Sequence, residues 1–173
     1  EVSIFRIKTN RRLTVDCQLL TVGRKIYTLS KAKATTLNTH SMSFSSLGLP
    51  KEILNTLTEQ KYKKPYPIQK KAIPAILKGQ DVLGIAKTGS GKTASFALPV
   101  LSQLQDETLE KSRDISVLVL VPTRELAIQV QEVFYTFGKE MRSPIRSLAV
   151  YGGVSINPQM KAVYGTNILV ATP

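Results

Sequence analysis

One cysteine, Cys17, stands in 173 residues, so no disulfide can form within the chain, and that usage suits a reducing compartment. No apolar run approaches the roughly eighteen residues that a membrane-spanning helix needs. The apolar stretches have the length of strands instead, and no segment repeats. Acids are scarce as well. Twelve Asp and Glu face 24 Lys and Arg, leaving a formal charge of +12. An excess of that sign favours a polyanionic partner, nucleic acid before an anionic membrane surface. Its distribution tempers the inference, because residues 1–41 hold eight bases and two acids and so carry half the excess in a quarter of the length. Together these shortages predict a cytoplasmic protein with no membrane partner. With 42% hydrophobic residues, the chain has material for one core and one domain.

The chain opens on Glu1 and closes on "VATP" within an apolar run, which reads as a fragment. Residues 1–41, rich in Thr, Lys and Arg, show little sustained period and are read as a leader, disordered or foreign to the domain that follows. An organellar transit peptide and a mistranslated upstream segment ending at Met42 are alternatives. "LTVDCQLLTVGRKIYTL" could form a hairpin around Val22-Gly23, but no core is in view to support it. From Met42 the pattern sharpens. "LPKEILNTLTEQ" sets Leu49, Ile53, Leu54 and Leu57 on one helical face, with Pro50 suited to its first turn. "PIQKKAIPAILKG" repeats the pattern, with Gly79 as a cap and Pro74 expected to kink or break the helix. Strands and helices then alternate. "DVLGIA", "ISVLVLVP", "RSLAVYGG" and "NILVATP" read as strands, and the second has the continuous β-branched character of a strand buried in a parallel sheet. A helix from about Gly91 to Leu104, the helix "TRELAIQVQEVFYTFGKEM" capped by Thr123, and a short helix at 158–164 separate them. The alternation predicts an α/β fold, a parallel sheet flanked by helices and truncated after about four strands, over residues 42–173.

In such sheets ligands bind at the carboxyl ends of strands. There lies "AKTGSGKT", between the first of these strands, read as buried, and a helix. A triphosphate needs several main-chain N–H groups turned inward at once, and Gly89 and Gly91 let the chain wrap without a Cβ in the way. The positive end of the helix lies beneath the phosphates. Lys92 can reach the β- and γ-phosphates and Thr93 can offer a hydroxyl to Mg²⁺. The generic phosphate-loop pattern G-x-x-x-x-G-K-[ST] asks for glycine at 86, where Ala86 stands. A turn alone would explain Gly-Ser-Gly but not the Lys-Thr that follows. For the base, Gln69 in "KPYPIQKK" could pair with the N6 and N7 edge of adenine, an edge that guanine reverses. Tyr62 and Phe44 are candidate stacking platforms. A lone helical glutamine is ordinarily solvated, however, and Phe44 before "LGL" would ordinarily be core.

These segments, in this order, resemble the first RecA-like domain of a DEAD-box ATP-dependent RNA helicase of bacterial style. "KYKKPYPIQ" is similar to the family's Q motif, with Phe44 at the isolated aromatic upstream, and Ala86, Lys87, Thr88, Gly89, Ser90, Gly91, Lys92 and Thr93 match the family's own loop A-x-T-G-x-G-K-T. Pro122 to Leu126, "PTREL", resembles motif Ia, Gly152-Gly153 the double-glycine element, and Ala171 to Pro173 the opening of T-P-G-R. Two positions depart: Lys61 stands where the Q motif usually has glycine and Tyr66 where it has threonine. The resemblance implies ATP and Mg²⁺ as cofactors, with the nucleotide on Phe44, Tyr62, Gln69 and the loop, the metal on Thr93, and Lys92 and Thr93 serving catalysis. It also implies that RNA is held by its backbone, without regard to sequence, through Pro122, Thr123, Arg124, Gly152, Gly153 and Thr172. In the family the acids of D-E-A-D, the S-A-T segment and a second domain complete hydrolysis and unwinding. None of these is in the 173 residues, so the chain alone is expected not to turn over ATP. Two rivals remain at this stage: another kind of P-loop ATPase, and an RNA-binding module indifferent to nucleotide.

Overall fold

A computed structural model describes residues 2–9, 13–20, 43–106 and 115–173. The boundary expected at Met42 and the hairpin expected around Val22-Gly23 lie outside the described residues.

After a single 3₁₀ turn, Phe44–Leu47, helix α1 runs Lys51–Glu59 with Pro50 at its N-cap, and Ile53, Thr56 and Leu57 face inward. The helix ends in a Schellman motif. Tyr62 N–H donates to the Leu57 carbonyl at 2.9 Å and Lys61 N–H to Thr58 at 3.0 Å. That motif puts its penultimate residue in the left-handed region, and here the residue is Lys61, with φ +60°. A lysine there carries Cβ strain that glycine does not, so Lys61→Gly should stabilise the fold by up to about 1 kcal/mol after glycine's larger entropy loss is deducted. An unchanged or lower urea midpoint would count against it.

Helix α2, Pro67–Leu77, places proline at its first position and buries Gln69, Ala72, Ile73 and Ile76. Of the kink or break expected at Pro74, the break does not occur: the helix runs on to Leu77. The ring removes one main-chain bond, but Gln103 of the neighbouring helix donates its Nε2 to the Ile76 carbonyl at 2.7 Å and packing on both sides of the proline holds the last turn. Gly79, φ +71°, follows the helix end as anticipated. Helix α3, Lys92–Asp106, is the centre of the core: Ala94 through Val100 are all buried, and Phe96 meets Phe134 at 6.2 Å between ring centroids. Helix α4, Arg124–Gly138, presents Ala127, Val130, Phe134 and Phe137 to that core, and helix α5, Ile156–Val163, buries no residue.

The strands read from the alternation are present as β3 (Val82–Lys87), β4 (Val117–Leu120), β5 (Ser147–Val150) and β6 (Ile168–Ala171). β4, β6 and β5 pair in parallel, with Val117 opposite Ile168 and Ser147 opposite Ile168. Two further strands precede them, β1 (Val2–Thr9) and β2 (Leu13–Leu20). These form an antiparallel hairpin inside the sheet, whose order is β3-β1-β2-β4-β6-β5. β1 runs antiparallel to β3 and β2 parallel to β4, so β3 points the same way as β4, β5 and β6. The backbone of residues 2–9 and 13–20 thus differs from a leader lying apart from the domain. The hairpin's support comes from the two strands it separates, and Val15 of β2 is fully buried. A second difference concerns β3. Read as a buried strand, it is the sheet's edge, with Leu83 and Ile85 exposed. Its apolar character set the expectation, whereas its place in the sheet set its exposure.

Candidate functional site

Because β3, β4, β5 and β6 share one direction, the turns that follow them gather at one edge of the sheet, where the loop peptides project outward. After β3 the chain turns through Thr88–Gly91 and enters α3 at Lys92. Gly89 and Gly91 both lie at φ +77°. A Cβ on Gly91 would come within 2.5 Å of Gln69 Nε2 and 2.9 Å of the Tyr66 ring, so nothing larger than glycine fits there. Gln69 itself is fully buried. Its Oε1 accepts from the Tyr66 N–H at 2.8 Å and its Nε2 donates to the Gly91 carbonyl at 3.1 Å, clipping the start of α2 to the start of α3. Lys92 Nζ donates to the carbonyls of Ala86, at 2.9 Å, and Lys87. Burial lowers its pKa from the ordinary lysine value. Ser90 Oγ is buried without a hydrogen-bond partner. Lys87, Thr88 and Gly89 are exposed, and Thr93 is half-buried in the first turn of α3.

A cavity of about 1210 Å³ opens beside this loop, walled by residues 60–67, by Thr88, Gly89 and Gly91 to Ala94, and by α4 from Thr123 to Val133. Lys61, Lys63, Lys64 and Lys92 border it and Glu125 is its one acid, so its field is positive. Glu125 is tied to the helix start. Its own main-chain N–H and then the Thr123 hydroxyl hold its carboxyl below the usual range. Of the two aromatics proposed as stacking platforms, Tyr62 lines the cavity and Phe44 does not: Phe44 is buried, edge-on to Tyr62 at 6.2 Å, and Tyr62 is edge-on to Phe137. Gln69 does not line the cavity either. Tyr66 does, and at 49% exposed it is the most open of these rings. Sequence reasoning marked Tyr66 only as a departure from a pattern; a large aromatic where a small hydroxyl is usual was the available signal.

The second group of residues assembles at the neighbouring strand ends. Thr123 Oγ1 caps α4, accepting from Leu126 N–H at 3.2 Å. Arg124 has no ion pair with Glu125 among the described residues; its Nη1 donates to the Gly152 carbonyl at 3.3 Å. A Cβ on Gly153, φ +82°, would lie 2.7 Å from that same nitrogen. The arginine and the double glycine are therefore in direct contact, although 28 residues separate them. Pro122 is exposed, and Thr172 follows β6 with its N–H bonded to the Val150 carbonyl at 3.1 Å.

The geometry fits a polyphosphate: a loop with two left-handed glycines, a helix N-terminus, an orphaned buried hydroxyl and four lysines. It fits Mg²⁺ less fully. No cluster of three His, Cys, Asp or Glu exists among the described residues, so the Thr93 hydroxyl would hold the metal together with phosphate oxygens and water. No helix among the described residues is long and apolar enough to cross a membrane.

The family model for the DEAD/DEAH box helicase matches residues 66–173. The chain is 48% identical over 132 residues to ATP-dependent RNA helicase DeaD of Klebsiella pneumoniae, covering 76% of this chain and 20% of that protein. It is 41% identical over 135 residues to the DEAD-box ATP-dependent RNA helicase RhpA of Helicobacter pylori, covering 78% and 26%. A crystal structure of a DEAD box protein from Methanococcus jannaschii superposes with a TM-score of 0.64 at 38% identity, over 76% of this chain and 35% of that one. The chain thus spans between a fifth and about a quarter of the length of these curated relatives.

Proposed function

We propose a function that starts from descent: the chain belongs to the DEAD/DEAH box helicase family. Its α/β domain with RecA-like architecture binds ATP at the cavity beside the glycine loop and RNA at the adjoining strand ends. The observation that carries this reading is the shared edge, since β3 through β6 run in one direction and bring the phosphate cradle and the Arg124–Gly152 contact to the same side of the sheet.

On ATP binding, Lys92 would give up the Ala86 and Lys87 carbonyls and turn to the β- and γ-phosphates, and the Ser90 hydroxyl, buried without a partner, would gain an acceptor. Thr93 would hold Mg²⁺, which would neutralise phosphate charge. For RNA, the start of α4 offers main-chain amides and Arg124 a guanidinium, and Gly152 and Gly153 let a sugar-phosphate backbone approach closely, with Thr172 beside them. Contacts of this kind go to phosphate and sugar and carry no base information, which supports binding that is indifferent to RNA sequence. Arg124 must exchange the Gly152 carbonyl for a phosphate oxygen. In the longer polypeptides to which such a span belongs, ATP binding and hydrolysis are coupled to separation of RNA duplexes, in the cytoplasm.

The test is a titration of the 173-residue chain with a fluorescent ATP analogue and with single-stranded RNA. Lys92→Ala should weaken nucleotide binding by about 10- to 100-fold, the equivalent of one or two charge-assisted bonds, and Arg124→Ala should weaken RNA of any sequence while sparing the nucleotide. Phosphate release should stay at background with or without RNA, because the cavity's one described acid, Glu125, is committed to the cap of α4. RNA-stimulated turnover, or RNA binding with no nucleotide binding at all, would overturn this reading.

A further inference from the structure

We propose that Gln159 positions the Gly152-Gly153 turn for the RNA backbone, acting through the main chain of Tyr151 and Ser155 without touching RNA itself; this rests on reading the Arg124–Gly152 corner as an RNA contact. Among the described strands β5 is the last of the sheet, with β6 as its one neighbour. Val150 turns its carbonyl to that neighbour and accepts from the Thr172 N–H at 3.1 Å. Successive residues of a strand direct their main-chain groups to opposite sides, so Tyr151 turns its N–H and carbonyl to the open edge, where no described strand pairs with them. Gln159 takes that place. Its Oε1 accepts from the Tyr151 N–H at 3.0 Å and its Nε2 donates to the Tyr151 carbonyl at 3.2 Å, a two-point match between a side-chain amide and one residue's backbone. The same nitrogen donates to the Ser155 carbonyl at 3.3 Å. One amide therefore holds both ends of the turn that carries the two glycines.

A double glycine is the least stiff pair of residues a chain can place between such ends. Gly152, Gly153, Val154 and Ser155 are exposed and α5 buries no residue, so core packing does not fix the turn. Gln159, half-buried, fixes it by hydrogen bonds. The peptide between Tyr151 and Gly152 is planar and trans, so holding the Tyr151 carbonyl toward Gln159 aims the Gly152 N–H the opposite way. The next group along, the Gly152 carbonyl, meets Arg124 Nη1, and Gly153 lies beside that same nitrogen. Gln159 thus sets the direction of a main-chain amide and the anchor of the arginine together. Released from it, the glycines explore both signs of φ, and RNA loses the affinity needed to order them again. Gln159 is accordingly a positioning residue for the RNA contact.

Titration of the 173-residue chain with single-stranded RNA tests this through Gln159→Ala, Arg124→Ala and the double variant, with a fluorescent ATP analogue and urea unfolding as controls. Gln159→Ala should weaken RNA binding by at least about fivefold, in the range of one or two neutral hydrogen bonds, and keep nucleotide binding within about twofold of the parent. In the Arg124→Ala background the same change should weaken RNA by less than about twofold, because the arginine and the turn hold one phosphate between them. A Gln159→Ala variant that binds RNA like the parent overturns the proposal while leaving the RNA reading standing, as do losses that multiply in the double variant. So does a Gln159→Ala variant that loses RNA and nucleotide together with its urea midpoint, since the amide would then be a general brace of the fold. If the parent binds no RNA at all, the RNA reading falls and this proposal with it.

Discussion

Gly91→Ala should destabilise the fold by about 3 kcal/mol and Gly89→Ala by only about 1 kcal/mol, although both glycines have the same φ of +77°. The left-handed backbone costs each alanine about the same. The surroundings differ. Around Gly89 nothing lies within 4 Å of an added Cβ, whereas at Gly91 the methyl would meet Gln69 Nε2 at 2.5 Å and the Tyr66 ring at 2.9 Å. Tyr66 can swing aside because it is half exposed. Gln69 cannot, because moving it leaves a buried amide and the N–H of Tyr66 without partners. Urea unfolding of the two variants measures the difference directly. Equal costs would mean that the clip between α2 and α3 yields freely, and the assignment of Gln69 as the loop's anchor would fail. Nucleotide binding should follow the same order, with Gly91→Ala the weaker binder.

Deleting residues 1–20 should have an effect of at least similar size. Among the described strands β3 has a single neighbour, β1, which meets it from Val2 opposite Lys87 to Ile7 opposite Val82. Beyond the hairpin, β2 joins the rest of the sheet through Leu13–Asp16 and Val117–Leu120. Without the hairpin the strand that carries the phosphate loop is held by helix packing alone, and β4 becomes an edge. The fully buried Val15 is worth about 1.5–3 kcal/mol by itself, a sizeable part of a domain's 5–15 kcal/mol. The truncated chain should therefore unfold at a much lower urea concentration, with a broad transition, and lose nucleotide affinity. Val15→Asp in the intact chain should move stability the same way, since an unpaired carboxylate would be buried. A truncated chain as stable as the parent would show the hairpin to be peripheral to the sheet.

How much could be read before the structure follows from the range of the interactions concerned. Glycine at 89 and 91, Lys92-Thr93 and the strand before them act within a few residues of one another, so their spacing alone carries the proposal of a phosphate site. Thr123 at the start of α4 and the αL glycine after α2 are likewise local. Pro74 was misleading because proline's local penalty is offset by Gln103 and by core packing from α3, which no window around residue 74 contains. The pairing of Val2–Thr9 with Leu13–Leu20 escaped notice for a related reason, since two lone strands lack a core and become favourable only between β3 and β4.

The same division runs through the site. Local spacing was enough to propose a phosphate-binding loop and to announce an α/β domain, because main-chain geometry around glycine and the hydrophobic period depend on near neighbours. Whether Gln69 faces a base or braces a loop depends on where Tyr66 N–H and the Gly91 carbonyl lie in space. So does the grip of Arg124 on Gly152, across 28 residues, and the exposure of Leu83 and Ile85 on an edge strand. A side-chain amide pairs with whatever polar groups surround it once water is excluded, and only the folded chain decides which groups those are.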